Sequence, residues 1–217
     1  MVLLIEFFQH NNPDRQEEYT KCLSDNVIND YIDIIEIIVT DDVIIPISSP
    51  KIVVTKLEYR PTYQDFFRIC NEKYLNEYCI IANSDIIFTD LSMINDDTME
   101  NRFVALSRWD IRPNDEIVHF DREDSQDVWI FKSPISFKTP PNFLLGKPGC
   151  DNRIAYMAWE SGLIVNNPSK QIITKHLHLT NLRNYTVNDT VYGFHMRVKS
   201  CGRITDNSIQ TRFNYTK

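Results

Sequence analysis

Glycine is scarce in this chain, with five residues in 217, and none stands in Phe8-Gln9-His10-Asn11-Asn12 after the first apolar run. That excludes a glycine-rich phosphate loop at this place. Long apolar runs are also missing. No stretch approaches the roughly 18–20 apolar residues that cross a bilayer, so no membrane span is predicted. The opening Met1-Val2-Leu3-Leu4-Ile5-Glu6-Phe7-Phe8 is apolar but short, lacks a basic leader and is interrupted by Glu6. It reads as a buried strand and not as a signal peptide. Positive charge is in deficit: 23 Lys and Arg against 30 Asp and Glu leave a net charge of −7. No extended basic face is expected, which excludes a dedicated nucleic-acid binder. Five cysteines, at 22, 70, 79, 150 and 201, are scattered without a C-x-x-C pair. This pattern points to reduced thiols and a cytoplasmic protein, not to a disulfide framework.

What is present is a globular composition, 42% hydrophobic and 12% aromatic, in a length that fits one domain, 1–217. The first half, 1–105, alternates strand and helix. Residues 3–8 read as a strand, and Asn12-Pro13 supplies a helix cap with proline at the first turn. The helix runs to about Asn26, with Tyr19, Cys22 and Leu23 inward. Residues 34–39 and 51–55 read as strands. Thr62-Tyr63-Gln64-Asp65 resembles a capping box, opening a helix with Phe66, Phe67, Ile69, Cys70 and Leu75 spaced for burial. A strand from Tyr78 ends at Asn83-Ser84-Asp85, and an apolar segment, Ile86-Ile87-Phe88, resumes after it. This alternation predicts an α/β fold with a mainly parallel sheet and helices on both faces.

The second half, 106–185, is less regular. Residues 103–106 and 128–131 read as strands separated by a charged loop that holds Arg108-Trp109-Asp110 and residues 121–127. A proline-bearing connection, 134–148, leads to a helix that starts near Cys150-Asp151 and stops at Gly162. Residues 163–165 and 171–174 read as short strands, followed by Lys175-His176-Leu177-His178. The polar, weakly patterned residues 186–217 read as a wrapping tail.

Chemistry-bearing residues gather at element ends. Asp85 sits at a strand end, where open α/β sheets bind ligands, and carboxylates there suit a hard cation. Asp127 precedes the strand that contains Trp129, whose ring is a candidate for stacking on a sugar, against the default of a core tryptophan. Asp151 stands at a helix start, where the dipole favours its ionised form. His176 and His178 lie on one face by strand alternation. In order and spacing these motifs resemble a compact nucleotide-sugar glycosyltransferase of the GT-A type, and in particular small transferases of bacteria and of the large DNA viruses of algae. The resemblance spans residues 1–185 or so. In that family a D-x-D motif ends a strand; here it reads Asn83-Ser84-Asp85, with an amide in the first place.

The resemblance implies a GT-A-like fold, with 1–105 as nucleotide half and 106–185 as donor and acceptor half. It implies a Mn²⁺ or Mg²⁺ cofactor on Asp85 with His176 or His178. Asp151, or its rival Asp127, becomes the catalytic or sugar-binding carboxylate. The donor would be a nucleotide diphosphate sugar, with UDP-sugars favoured, and the acceptor a glycan or glycoconjugate. Phe8, Gln9, Arg60 and Thr62 are the candidates for nucleotide contact, with Asn83 and Ser84 beside the cation. Arg153 is a candidate for the diphosphate, and Arg108 and Asp110 for the donor sugar. A viral member would act in host cytoplasm. Nucleotidyl transfer and a non-catalytic carbohydrate-binding module remain open as alternatives. A zinc hydrolase is disfavoured, because no third His or Cys lies at ligand spacing.

Overall fold

The computed structural model describes residues 1–180, 182 and 185–216. Asn181, Arg183 and Asn184, within the second half, and Lys217, at the end of the expected tail, lie outside the described residues. The strand β1 (Val2–Glu6) is buried along its whole length, as a strand covered on both faces must be. The helix α1 (Pro13–Val27) starts as its cap predicts, with Asn12 Oδ1 accepting the Arg15 backbone N–H at 2.9 Å. There follow β2 (Ile34–Val39), an irregular connection and β3 (Ile52–Lys56). The helix α2 (Tyr63–Lys73) opens with Asp65 reaching back to the Thr62 backbone N–H at 3.0 Å. Next come β4 (Tyr78–Ala82), β5 (Ile86–Phe88), the single turn α3 (Asp96–Met99) and β6 (Arg102–Leu106). The chain continues through β7 (Trp109–Ile111), β8 (Ile117–His119), β9 (Val128–Lys132) and α4 (Cys150–Glu160). It closes with β10 (Ile164–Asn166), β11 (Thr174–His176), β12 (Gly193–Val198) and β13 (Gln210–Tyr215).

Seven strands form the central sheet in the order β10-β6-β9-β4-β1-β2-β3. Every neighbouring pair is parallel except the two made by β9, so the expected mainly parallel α/β sheet is observed. Side-chain alternation sends Val2 and Leu4 to one face, with Phe66 and Phe67 of α2 and Ile154 and Ala155 of α4. Leu3 and Ile5 go to the other face, with Tyr19 and Leu23 of α1 and Met99 of α3. Helices cover both faces.

Several expectations need correction. The charged stretch after β6 is not all loop, because β7 and β8 pair there and join a second sheet, β5-β11-β7-β8. The strand expected at 171–174 begins only at Thr174 and includes His176; its partner strands β5 and β7 set that position. The strand expected to reach Asp85 ends at Ala82, and Asn83-Ser84-Asp85 form a turn. Residues read as tail include the β12–β13 hairpin, whose Met196 and Val198 enter the core. Leu75 lies beyond the end of α2 and is 57% exposed.

Phe67 meets Tyr63, Phe103, Phe131 and Phe137 with ring centroids 4.6–6.3 Å away. Urea denaturation is expected to show Phe67→Ala losing about 3–5 kcal/mol of stability. Leu75→Ala is expected to stay within about 0.5 kcal/mol of the parent.

Candidate active site

The turn between β4 and β5 delivers Asp85 into a cleft of about 220 Å³ at the strand ends. β11 runs antiparallel to β5 with His176 opposite Ile86, and the Leu177 N–H bonds the Asp85 carbonyl at 2.9 Å. Both histidines thereby converge on the carboxylate. His176 Nε2 lies 3.2 Å, and His178 Nδ1 3.9 Å, from Asp85 Oδ2. One ligand atom from each of Asp85, His176 and His178 can be chosen so that all three lie within 4.8 Å of one another.

Asp85 is 6% exposed, and its charge is answered from two sides. Arg15 of α1 donates to Oδ2 and also holds Glu18 at 2.6 Å and the Leu177 carbonyl at 3.1 Å. Burial would raise the Asp85 carboxyl, but the charges of His176 and Arg15 outweigh it and hold it well below the carboxylate range. Burial would likewise lower His176; Asp85 and the 2.9 Å bond from Nδ1 to Asp110 instead raise the imidazole to about 9. Asp110, opposed by burial but held by His176 and Arg108, falls to about 2. Arg108 continues the sequence of charges, donating to Asp110 and to Asp127 at 2.8 Å each. Asn83 Nδ2 closes it on the other Asp127 oxygen at 2.7 Å. His178 is different: burial and the neighbouring Arg15 push it below its ordinary value, leaving a neutral imidazole.

The residues fit a divalent cation. Among the described residues, Asp85 Oδ1 and His178 Nε2 are buried with no hydrogen-bond partner, which is costly unless a ligand satisfies them. His176 has the arrangement typical of a ligating imidazole, one nitrogen toward the donor cluster and the other on a carboxylate. A mixed carboxylate and imidazole set suits Mn²⁺ better than Mg²⁺.

A second pocket of about 370 Å³ adjoins the first, with Asn83, Arg108, Asp127, Gly146, Lys147 and Tyr185 lining both. Asp151 lies in it, in the first turn of α4, accepting the Gln126 N–H at 3.2 Å and the Asn152 N–H at 3.0 Å. The expectation of a dipole-stabilised ion is overturned here. Burial pushes the Asp151 carboxyl up to about 7 despite those backbone bonds, and Asp127 adds repulsion. Trp129 is 1% exposed, edge-on to Tyr63, so its ring face is not free to stack on a sugar. Its indole Nε1, like Gln126 Oε1, is buried and unpartnered among the described residues.

The structure gathers Phe8, Asn83, Ser84, Asp85, Arg108, Asp127, His176 and His178 around the first cleft, with Arg60 at its edge. Arg60 is already bound to Glu6 at 3.0 Å and to the Leu145 carbonyl at 3.1 Å. Ser84 donates to the Glu6 carbonyl. Asp110 lies behind His176, in a neighbouring groove. Gln9 lines a neighbouring hollow with His10 and Pro13, which shares Phe8 and Leu182 with the first cleft. Thr62 spends its hydroxyl on Asp65 at 2.8 Å and does not line either cleft. Arg153 also lies outside both clefts, because its guanidinium donates to the Phe194 carbonyl at 2.8 Å. Arg15 and Lys147 are among the cleft residues that escaped the sequence reading. Arg15 had no local signal, since its partner is 70 positions away. Lys147, beside the noted Pro148-Gly149, lines both pockets and pairs with Asp189 at 2.8 Å.

No protein-family model matches the chain, and no curated protein sequence matches it. Among solved structures it is similar to 4-diphosphocytidyl-2C-methyl-D-erythritol synthase from Anaerococcus prevotii. That likeness has 12% identity and a TM-score of 0.48 over 87% of this chain and 91% of that one. It is similar also to residues 1–349 of TarS from S. aureus, in a structure in complex with UDP-GlcNAc, with 7% identity and a TM-score of 0.48. The match covers 88% of this chain and 61% of that longer one.

Asp151 makes stability depend on pH. Its folded value of about 7 lies above the ordinary 3.8, so the folded state holds the proton more tightly. That contribution is complete below about pH 4 and is lost as pH rises to about 7. Calorimetric melting of Asp151→Asn against the parent is expected to shift in the variant's favour by several degrees between pH 4 and pH 8.

Proposed function

We propose that this cleft moves a sugar from a nucleotide diphosphate donor, a UDP-sugar, to a hydroxyl of a glycan or glycoconjugate acceptor. In this reading Asp85, His176 and His178 would hold a Mn²⁺ ion, His176 giving up a proton as its imidazole becomes a ligand. The observation that carries it is the pair of unpartnered buried atoms, Asp85 Oδ1 and His178 Nε2, in a cleft that opens into the Asp151 pocket. When bound, the ion supplies Lewis-acid stabilisation to charge on the departing diphosphate.

The chain's own residues supply the rest. Arg15 stays on Asp85 Oδ2, keeping that carboxylate ionised and leaving Oδ1 for the cation. Asp110 orients His176 so that its Nε2 faces the donor cluster. Arg60 and Lys147 line the cleft as ion pairs with Glu6 and Asp189, and phosphate oxygens of the donor would exchange for those carboxylates. Asp151, with its carboxyl near 7, takes the proton of the acceptor hydroxyl as that oxygen attacks the sugar. A general base works best when its pKa is close to the working pH. Attack assisted by a base outside the leaving-group cleft inverts the anomeric centre. Asp127 serves worse as a base, since Arg108 and Asn83 already occupy its oxygens. The unpartnered Trp129 N–H and Gln126 carbonyl are available to sugar hydroxyls.

Incubation with UDP-sugars and Mn²⁺ tests the reading: release of UDP supports it. Release of pyrophosphate from a nucleoside triphosphate and a sugar 1-phosphate, with UDP-sugars inert, would replace it by nucleotidyl transfer. Mn²⁺ binding, followed by electron paramagnetic resonance, is expected to vanish in Asp85→Ala and to weaken about 10–100-fold in Asp110→Asn. The kcat/KM of the parent is expected to rise with pH to a plateau above about 7. Asp151→Asn is expected to lose about 10²–10⁴ in kcat together with that limb.

A further inference from the structure

The three donors of the first cleft are anchored unequally. His176 belongs to β11, which pairs with β5 and β7, and its Nδ1 is held by Asp110 at 2.9 Å. His178 falls beyond the end of β11. Its Nδ1 is 3.9 Å from Asp85, and its Nε2 is unpartnered among the described residues. Sheet pairing therefore does not fix it, and one turn of α1 takes that task. Arg15 and Glu18, three positions apart and so on one face of the helix, are buried at 4% and 7% exposure. Arg15 donates to the Leu177 carbonyl at 3.1 Å, on one side of His178. Glu18 accepts the Thr180 N–H at 2.9 Å and the Thr180 hydroxyl at 3.1 Å, on the other. A 2.6 Å bond from Arg15 to Glu18 joins the two grips.

The helix that carries this clamp is itself fixed. Further along the same face, Asn26 donates to the Ile86 carbonyl at 2.8 Å and accepts the Phe88 N–H at 2.9 Å, tying α1 to β5. The Leu177 side chain packs with Cys22 of α1 and Ile87 of β5. Glu18 lines neither cleft, so any effect it has on the site passes through other residues. Neutralising Arg15 does not account for its place, because Asp85 already answers that guanidinium. Two of its three hydrogen bonds among the described residues come from Thr180 instead. A buried carboxylate is costly to keep, and this one grips the chain two residues past His178.

We propose that Glu18 is a positioning residue for the cation site: with Arg15 it clamps residues 177–180 against α1 and so holds the His178 imidazole in the donor cluster. The inference rests on the cation reading given above. Glu18 also shares Arg15 with Asp85, which lessens the positive charge facing a dication. The two effects are separable. Loss of charge alone weakens the ion and leaves its ligands in place. Loss of the clamp releases His178 and spares His176, whose pairing with β7 and bond to Asp110 do not involve α1.

Electron spin-echo spectroscopy of Mn²⁺ bound to the full chain counts the imidazole nitrogens on the ion. Two are expected in the parent and one in Glu18→Ala, with Mn²⁺ binding about 10–100-fold weaker in the variant. Glu18→Gln, whose amide oxygen still accepts the Thr180 N–H, is expected to restore the second nitrogen. Two nitrogens in Glu18→Ala overturn the proposal. One nitrogen in Glu18→Gln overturns it as well, by assigning the effect to charge. Thr180→Val removes only the hydroxyl of a half-buried residue and serves if Glu18→Ala does not fold. About threefold weaker Mn²⁺ binding is expected there at an unchanged melting temperature, and parental affinity overturns the clamp. A parent that binds Mn²⁺ without nitrogen, or binds none, overturns the cation reading and this inference together. Absent UDP release with both nitrogens present would remove the transferase reading alone.

Discussion

The site is held together by alternating charge in a low-dielectric interior. Arg15, Asp85, His176, Asp110, Arg108 and Asp127 follow one another with opposite sign at each step. A single buried ion is expensive, and breaking one member of a buried pair strands its partner. Four of the five links join different segments: α1 to the β4–β5 turn, that turn to β11, β11 to β7, and the residue before β7 to the residue before β9; the fifth, Arg108 to Asp110, is local. The second, four-stranded sheet is therefore docked to the central sheet by electrostatics as well as by packing. Asp85 can remain ionised in so enclosed a place because two cations face it.

The orientation of β9 explains why so many acidic groups collect at one edge. β4 ends at Ala82, which pairs with Val128 at the beginning of antiparallel β9. The end of one strand and the beginning of its neighbour thus point the same way. Asn83 and Asp127 become neighbours across 44 positions of sequence. A parallel β9 would have carried Asp127 to the far end of the sheet, away from Asp85.

Much of the frame is legible in the sequence because its signals are short-range. The Asn12-Pro13 start, the Thr62-to-Asp65 cap and the apolar runs of β1, β2 and β4 are each contained within a few residues. The convergence of Asp85, His176 and His178 is foreshadowed as well, by their places at element ends and by strand alternation. Less visible is whatever depends on distant partners. β7 is three half-buried residues, Trp109-Asp110-Ile111, whose strand character comes from pairing with β8 and β11. The hairpin reads as polar because one of its faces is open to solvent. Arg60, Thr62 and Arg153 looked available in sequence, yet each has a partner supplied by another segment or by its own helix cap. The acidity of Asp151 was misjudged for the same reason. A helix start is a local property, whereas burial in the fold and the nearby charge of Asp127 are not.

The long sequence interval between Asp85 and the two imidazoles has a consequence for biosynthesis. A nascent chain exposes the carboxylate and Arg15 well before Thr174–His176 leaves the ribosome, and β11 cannot pair with β5 until then. The three-donor cluster consequently completes only after the first half of the domain has been translated and has had time to collapse. Any cation held there would be a late occupant of a nearly finished fold and not a template for its early stages.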